Sequence, residues 1–212
     1  MARKIMAEIP DAVLKEDLER FRQRAIELGA TDARIIPADT ILIDERVRAK
    51  CIYPKCSSYG TNANCLPYAM DLDMTRKVVS RYKYAIFLML KVPAAEVAGS
   101  DAREKWLSRP SQIKNQEIVS KLEAEAFHNG YHLALGFSVG SCKTAFCPEQ
   151  ECSALKGERC RNALRARSAM EAVGMDAYVM AANVGWDIYP IGRSTPAVDV
   201  PHGLRLGLVL IY

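Results

Sequence analysis

The segment YAIFLMLKV, residues 84–92, sets the expected fold of this chain. It contains the longest uninterrupted apolar run, Tyr84–Leu90, which is closed by Lys83 and Lys91. A run of this length suits a buried strand and is far too short to span a bilayer. We therefore predict a strand over 84–92 at the centre of a sheet.

Helical and extended patterns alternate on both sides of this strand. Apolar residues recur at three- and four-residue steps in four segments, 11–29, 71–82, 113–129 and 161–173, which predicts helices there. Extended segments are predicted at 33–36, 40–43, 131–139, 177–183 and 204–212. Together they indicate an α/β fold with a central mixed sheet flanked by helices, in which the two C-terminal strands could pair antiparallel. We expect one domain spanning 1–212.

The composition is that of a globular protein. The chain has 212 residues, of which 50% are apolar, so it can bury a substantial core. The net charge of +4 does not by itself indicate nucleic-acid binding, and no such partner is expected. The N-terminus, MARKIMAEIPDAV, lacks the apolar core of a secretory signal. We therefore expect a cytoplasmic protein with reduced thiols and no membrane span.

All seven cysteines fall in two short runs. The first run is Cys51, Cys56 and Cys65, and the second is Cys142, Cys147, Cys152 and Cys160. Scattered packing cysteines would not separate in this way, whereas a metal centre needs several soft thiolate ligands from one flexible stretch of chain. We predict two metal-binding segments, a first cysteine loop at about 50–67 and a second cysteine loop at about 140–161. All seven cysteines are predicted metal or cofactor ligands.

Three kinds of chemistry compete for these cysteines. A disulfide framework is disfavoured, because the count is odd and the chain is long and carries no secretory signal. Structural zinc fits the four-residue spacings, and four cysteines would close a tetrahedral site. Iron–sulfur clusters of the [4Fe-4S] type are favoured by the triple-plus-quadruple arrangement and by Pro148 directly after Cys147. Zinc remains the alternative cofactor.

The two runs differ in completeness. The second can complete one cluster by itself, whereas the first leaves one position for a water, a substrate or another side chain. The candidate protein ligands at that position are His128, His132, His202, Asp71 and Asp73. We expect each run to hold its own centre, since thiolates close in sequence lose the least loop-closure entropy. A metal with an open coordination position can bind a substrate, whereas a structural metal has every position filled by the protein.

Basic residues flank the second run: Lys156, Arg159, Arg161, Arg165 and Arg167. Guanidinium groups near a cluster would lower thiolate pKa values and raise its reduction potential. The alternative is a solvated helix face on which Arg167 pairs with Glu171 one turn later.

Several short motifs surround the cysteines. They are Lys50-Cys51, Pro54-Lys55-Cys56, Tyr59-Gly60, Cys65-Leu66-Pro67, Gly140-Ser141-Cys142 and Arg167–Gly174. From about Arg46 to the C-terminus, these motifs resemble a cysteine-rich "predicted metal-binding" family of unknown function, found mainly in anaerobic bacteria and archaea. Leu66 and Ser168-Ala169 stand where that family has Pro and Pro-Ser. The resemblance implies metal binding, through iron–sulfur clusters, in an anaerobe, and it implies no particular reaction.

The leading functional hypothesis is therefore an iron–sulfur protein with two clusters. It would serve in electron transfer with a redox protein partner or as an accessory to a redox enzyme. A close variant is an enzyme that acts on a small-molecule substrate at the open iron of the first centre. The alternative from another class is a zinc-stabilised interaction module. No phosphate-binding, dinucleotide-binding or hydrolase motif competes with these hypotheses.

Overall fold

A four-stranded sheet forms the centre of the structure, a computed structural model that describes residues 3–192 and 194–212. The strands are β1 (Asp32–Pro37), β2 (Tyr84–Val92), β3 (Leu135–Phe137) and β4 (Gly203–Leu210). The helices of the described residues are α1 (Asp11–Glu27), α2 (Glu45–Ile52), α3 (Leu72–Val79), α4 (Gly99–Glu104), α5 (Arg109–His128), α6 (Cys142–Phe146) and α7 (Ala177–Asn183). The α/β fold class is confirmed.

The strands are arranged in the order β1-β2-β4-β3, and every neighbouring pair runs antiparallel. The expectation of a mixed sheet is therefore wrong for these four strands. The antiparallel pair expected between 177–183 and 204–212 does not form either, because 177–183 is helix α7, and β4 pairs instead with β2 and β3. One isolated parallel bridge joins Ser138, just after β3, to Ala169. The connections between strands contain helices and long loops. Connections of this length can join parallel strands as well as antiparallel ones, so the sequence did not determine the strand direction.

Both faces of the central strands are buried, which explains the continuous apolar run of β2. Ile86 and Leu88 pack on one face beneath α1 and α5, and Phe87 packs on the other, against Trp186. Strand β4 follows the same alternation, so neither central strand has a polar side. The described part of the chain contains no helix long and apolar enough to cross a membrane.

Two predicted elements have a different structure. Residues 177–183 form α7 rather than a strand: Asp176 accepts a hydrogen bond from the Val179 N–H, and Ala177 and Met180 are buried one turn apart. A short apolar run does not distinguish helix from strand by its periodicity. Residues 161–173 form turns that end in a short 3₁₀ helix, not the expected long helix, and Leu164 is 81% exposed.

Helix α5 approaches the sheet closely because two strand residues opposite it have no side chain. A Cβ atom on Gly136 of β3 or Gly207 of β4 would lie 2.6 Å from a methyl group of Val119. The buried amide of Asn115 lies in the same contact, donating to the Arg205 carbonyl at 3.3 Å and accepting from the Ser138 hydroxyl at 2.6 Å. The position of α5 therefore depends on these glycines.

We expect Gly207→Ala to lower the free energy of unfolding by about 1–3 kcal/mol, because the added methyl group overpacks the contact between α5 and β4. Urea denaturation monitored by circular dichroism measures the change. Gly192→Ala is the matched control, since its Cβ would meet only Thr195 Oγ1, at 3.6 Å. An equal loss in the two variants would contradict the close-approach explanation.

Candidate metal centre

Two buried amides of α5 fix the second cysteine loop. Gln112 Nε2 donates to the Ser141 carbonyl at 2.7 Å, at the start of the loop. Gln116 exchanges two hydrogen bonds with the backbone of Arg167, beyond the end of the loop, at 3.2 and 2.8 Å. A buried amide needs its partners, so the loop cannot leave α5 without a free-energy cost.

Local structure then places the four thiols of the second loop. Ser141 accepts a hydrogen bond from the Lys143 N–H at 3.2 Å and so caps α6, whose first residue is Cys142. Cys147 follows the last residue of α6, and Cys152 precedes a 3₁₀ turn over Ser153–Lys156. Cys142 is buried, whereas Cys147, Cys152 and Cys160 are half-buried.

The first cysteine loop begins inside a helix. Cys51 lies in the last turn of α2, whose N-terminus is capped by Asp44 through the Arg46 N–H at 2.7 Å. The expectation of an irregular loop from residue 51 is therefore wrong at its start. Cys56 lies exposed in the turns that follow, and Cys65 is buried.

The structure brings the two cysteine loops into direct contact. Asn62 Nδ2 of the first loop donates to Ser141 Oγ of the second at 3.0 Å. Asn64 Nδ2 donates to Cys142 Sγ at 3.3 Å, and the Cys142 thiol donates to Asn62 Oδ1 at 3.5 Å. Burial raises the pKa of Cys65, and the side chains of Asn62 and Ser141 act in the opposite direction. Asn62 thus acts on both Cys65 and Cys142, although these cysteines belong to different runs.

Further N–H groups point at sulfur atoms. Asn162 Nδ2 donates to Cys147 Sγ at 3.1 Å. Although burial acts in the opposite direction, hydrogen bonds from the backbone of Ala63, Leu155 and Ala154 lower the pKa of Cys152. Ala63 belongs to the first loop, so its backbone acts on the pKa of a thiol in the second. N–H donors of this kind stabilise thiolate over thiol.

The thiols of Cys51 and Cys142 are neutral at pH 7. Burial raises the pKa of Cys142 to about 12, and the charges of Cys65, Cys160 and Cys152 add to the effect. Burial likewise raises the pKa of Cys51 to about 11, with contributions from Cys56 and Cys65. Thiols of the same run therefore influence one another, and Cys65 of the first run also influences Cys142 of the second. A bound metal would have to displace their protons.

All seven cysteines are free thiols. Within residues 3–192 and 194–212, no three His, Cys, Asp or Glu side chains converge closely enough to hold a metal ion. The donor set itself, soft thiols with N–H groups aimed at several sulfurs, fits an iron–sulfur cluster and also fits zinc.

Four of the five candidates for a fourth ligand of the first centre, all except His132, have other contacts. Asp71 caps α3 by accepting from the Met74 N–H at 2.7 Å, and Asp73 pairs with Arg76 at 3.6 Å. His202 bonds the Asp187 carbonyl, and the ring of His128 packs on Phe127. The assignment of a fourth ligand stays a prediction.

The basic residues near the second loop are largely paired. Arg167 forms a two-pronged ion pair with Glu123 of α5, both bonds at 2.8 Å, and not with Glu171. Lys156 pairs with Glu151, and the Arg165 guanidinium stacks 4.5 Å from the ring centroid of Phe146. These three side chains therefore hold the second loop in place, and their charges are engaged in contacts within the protein.

Sequence reasoning missed the amides that assemble the centre: Asn62, Asn64, Asn162, Gln112 and Gln116. A signal was present for the asparagines, because the stretch TNANC places two of them directly before Cys65, and Asn162 follows Cys160 by two positions. The glutamines carried no such signal, since they lie on a helix far from either run.

Comparison with known proteins supports a metal-related role. The family model described as "Predicted metal-binding protein (DUF2284)" matches residues 34–211, a range that includes both cysteine loops. No curated protein and no solved structure matched the chain.

We expect Asn62→Ala to loosen the contact between the loops, because it removes the hydrogen bonds of the Asn62 side chain with Ser141 Oγ and with the Asn64 N–H. The free energy of unfolding should fall by about 1–3 kcal/mol. Alkylation of Cys65 and Cys142 by iodoacetamide, followed by mass spectrometry, should become faster. Asn183→Ala, at an exposed position, is the control. Unchanged alkylation of both cysteines would show that Asn62 does not join the loops.

Proposed function

Because the chain belongs to the family of predicted metal-binding proteins, we propose that it is an iron–sulfur protein that carries two [4Fe-4S] clusters. Cys51, Cys56 and Cys65 hold one cluster, and Cys142, Cys147, Cys152 and Cys160 hold the other. The protein serves in electron transfer or as an accessory to a redox enzyme, in the cytoplasm of an anaerobe. Residues 1–212 act as one domain.

One observation carries this proposal: the two cysteine loops lie against each other with N–H groups directed at their sulfurs. Asn64 and Asn162 donate to Cys142 and Cys147, respectively. Structural zinc needs only a closed set of four ligands, and the first run supplies three. Amide hydrogen bonds to sulfur tune the reduction potential of a redox centre. Two adjacent thiol-rich loops with such donors are therefore better explained by a redox-active centre than by structural zinc.

A bound cluster supplies one-electron chemistry. The chain supplies burial and hydrogen bonds. Burial of Cys65 and Cys142 keeps water away from the region where the loops meet, and the amides stabilise negative charge on sulfur. The first loop has one cysteine fewer, which leaves room for a substrate at that centre if the protein is an enzyme.

Metal and acid-labile sulfide analysis of protein purified without oxygen tests the proposal. We expect about eight irons per chain with an equal amount of sulfide. Zinc at one or two equivalents without sulfide would instead establish the alternative, a zinc-stabilised interaction module.

Removal of one amide donor should shift the potential of one cluster. We expect Asn162→Ala to lower the reduction potential of the cluster at the second loop by on the order of 40 mV, the equivalent of one hydrogen bond of about 1 kcal/mol in a one-electron couple. An anaerobic redox titration monitored by electron paramagnetic resonance measures the shift. Asn183→Ala should leave both potentials unchanged. An unchanged reduction potential in Asn162→Ala would show that this amide does not tune the cluster.

A further inference from the structure

A cavity of about 620 Å³ lies where the two cysteine loops meet the body of the protein. Ser58 and Thr61 of the first loop and Lys143 and Pro148 of the second form part of its wall. The rest comes from the start of α5, from Glu96, Val97, Ala102 and Trp106 before it, and from Arg205 of β4. A volume of this size is typical of sites for small molecules.

Two polar atoms in this cavity wall are buried without a partner. They are Glu96 Oε2 and Arg205 Nε, neither of which has a hydrogen-bond partner in the described part of the chain. Burial lowers the pKa of Arg205, and the charges of Glu171 and Glu96 oppose this shift. A buried donor and a buried acceptor left unpaired carry a free-energy cost, so this part of the cavity wall is incompletely hydrogen-bonded within the described residues.

The charged residues of the described wall are Arg109, Lys143 and Arg205 against Glu96. Lys143 is engaged with the carbonyls of Cys147 and Gln150, and Arg109 Nε donates to the Ala145 carbonyl at 3.2 Å. The excess of positive charge favours an anion. Arginine in particular presents a planar set of donors that matches a carboxylate.

We propose that this cavity binds a small organic acid that carries a carboxylate and a hydroxyl or amino group. Arg205, with Arg109, binds the carboxylate, and Glu96 accepts a hydrogen bond from the hydroxyl or amino group. Ser58 and Pro148 come from the cysteine loops, so the bound acid lies beside the candidate metal centre. This inference goes beyond the proposed function, because the binding groups are not metal ligands.

Isothermal titration calorimetry on the full chain, purified without oxygen, tests the proposal with four probes. They are 3-hydroxybutyrate, butyrate, 3-hydroxybutanamide and inorganic phosphate. We expect saturable binding of 3-hydroxybutyrate. The uncharged amide should bind at least about tenfold more weakly, because it loses a charge-assisted hydrogen bond. Butyrate should bind several-fold more weakly, because it offers nothing to Glu96. Absence of saturable binding of 3-hydroxybutyrate, or tighter binding of phosphate, overturns the proposal.

Three variants assign the binding groups. Arg205→Gln should weaken 3-hydroxybutyrate binding by about tenfold or more. Arg109→Gln, a second cation variant that does not alter the central sheet, should weaken it by a similar factor. Glu96→Gln should reduce the discrimination between 3-hydroxybutyrate and butyrate. Arg81→Gln, at an exposed position outside the cavity, makes the same charge change and should have no effect. Unchanged affinity in both Arg205→Gln and Arg109→Gln overturns the proposal.

Discussion

The hydrogen bonds from Gln112 and Gln116 of α5 to the backbone around the second cysteine loop are the constraint on which the candidate metal centre depends. Both glutamines are buried, so their amides and the carbonyls they bind must stay paired. The second loop is thereby fixed on α5, and the first is attached to it through Asn62 and Ser141. Helix α5 in turn is held against the sheet where Gly136 and Gly207 allow its close approach. The sheet thus positions α5, α5 positions the second loop, and the second loop positions the first.

This arrangement gives the thiols two properties. They influence one another's pKa values, and Cys51 and Cys142 remain neutral at pH 7, as their raised pKa values show. A metal bound there would have to displace the protons of these thiols and bring their sulfur atoms together. The cavity lined by Arg205 and Glu96 shares its walls with the same loops, so an acid bound there and a metal bound by the cysteines would be neighbours.

The sequence predicted the parts of the molecule that depend on local pattern. The run 84–92 identified the central strand. The cysteine spacings singled out two segments, each of which contains a helix as well as turns, and the structure places these segments in contact. The prediction was wrong for α7, where the cap at Asp176 outweighed a strand-like composition. It was also wrong for strand direction, because pairing depends on partners distant in the chain. The contact of Asn62 with Ser141 joins positions 79 residues apart, and no local pattern indicates it.

The central claim is that these two loops hold iron–sulfur clusters rather than isolated metal ions. Iron K-edge X-ray absorption spectroscopy on protein purified without oxygen tests it most directly. The account predicts a first shell of sulfur around iron, followed by a second shell of iron–iron scattering, because the irons of a cluster are bridged by sulfide. A sulfur shell without metal–metal scattering would contradict the account, and so would an absorption edge of zinc in place of iron.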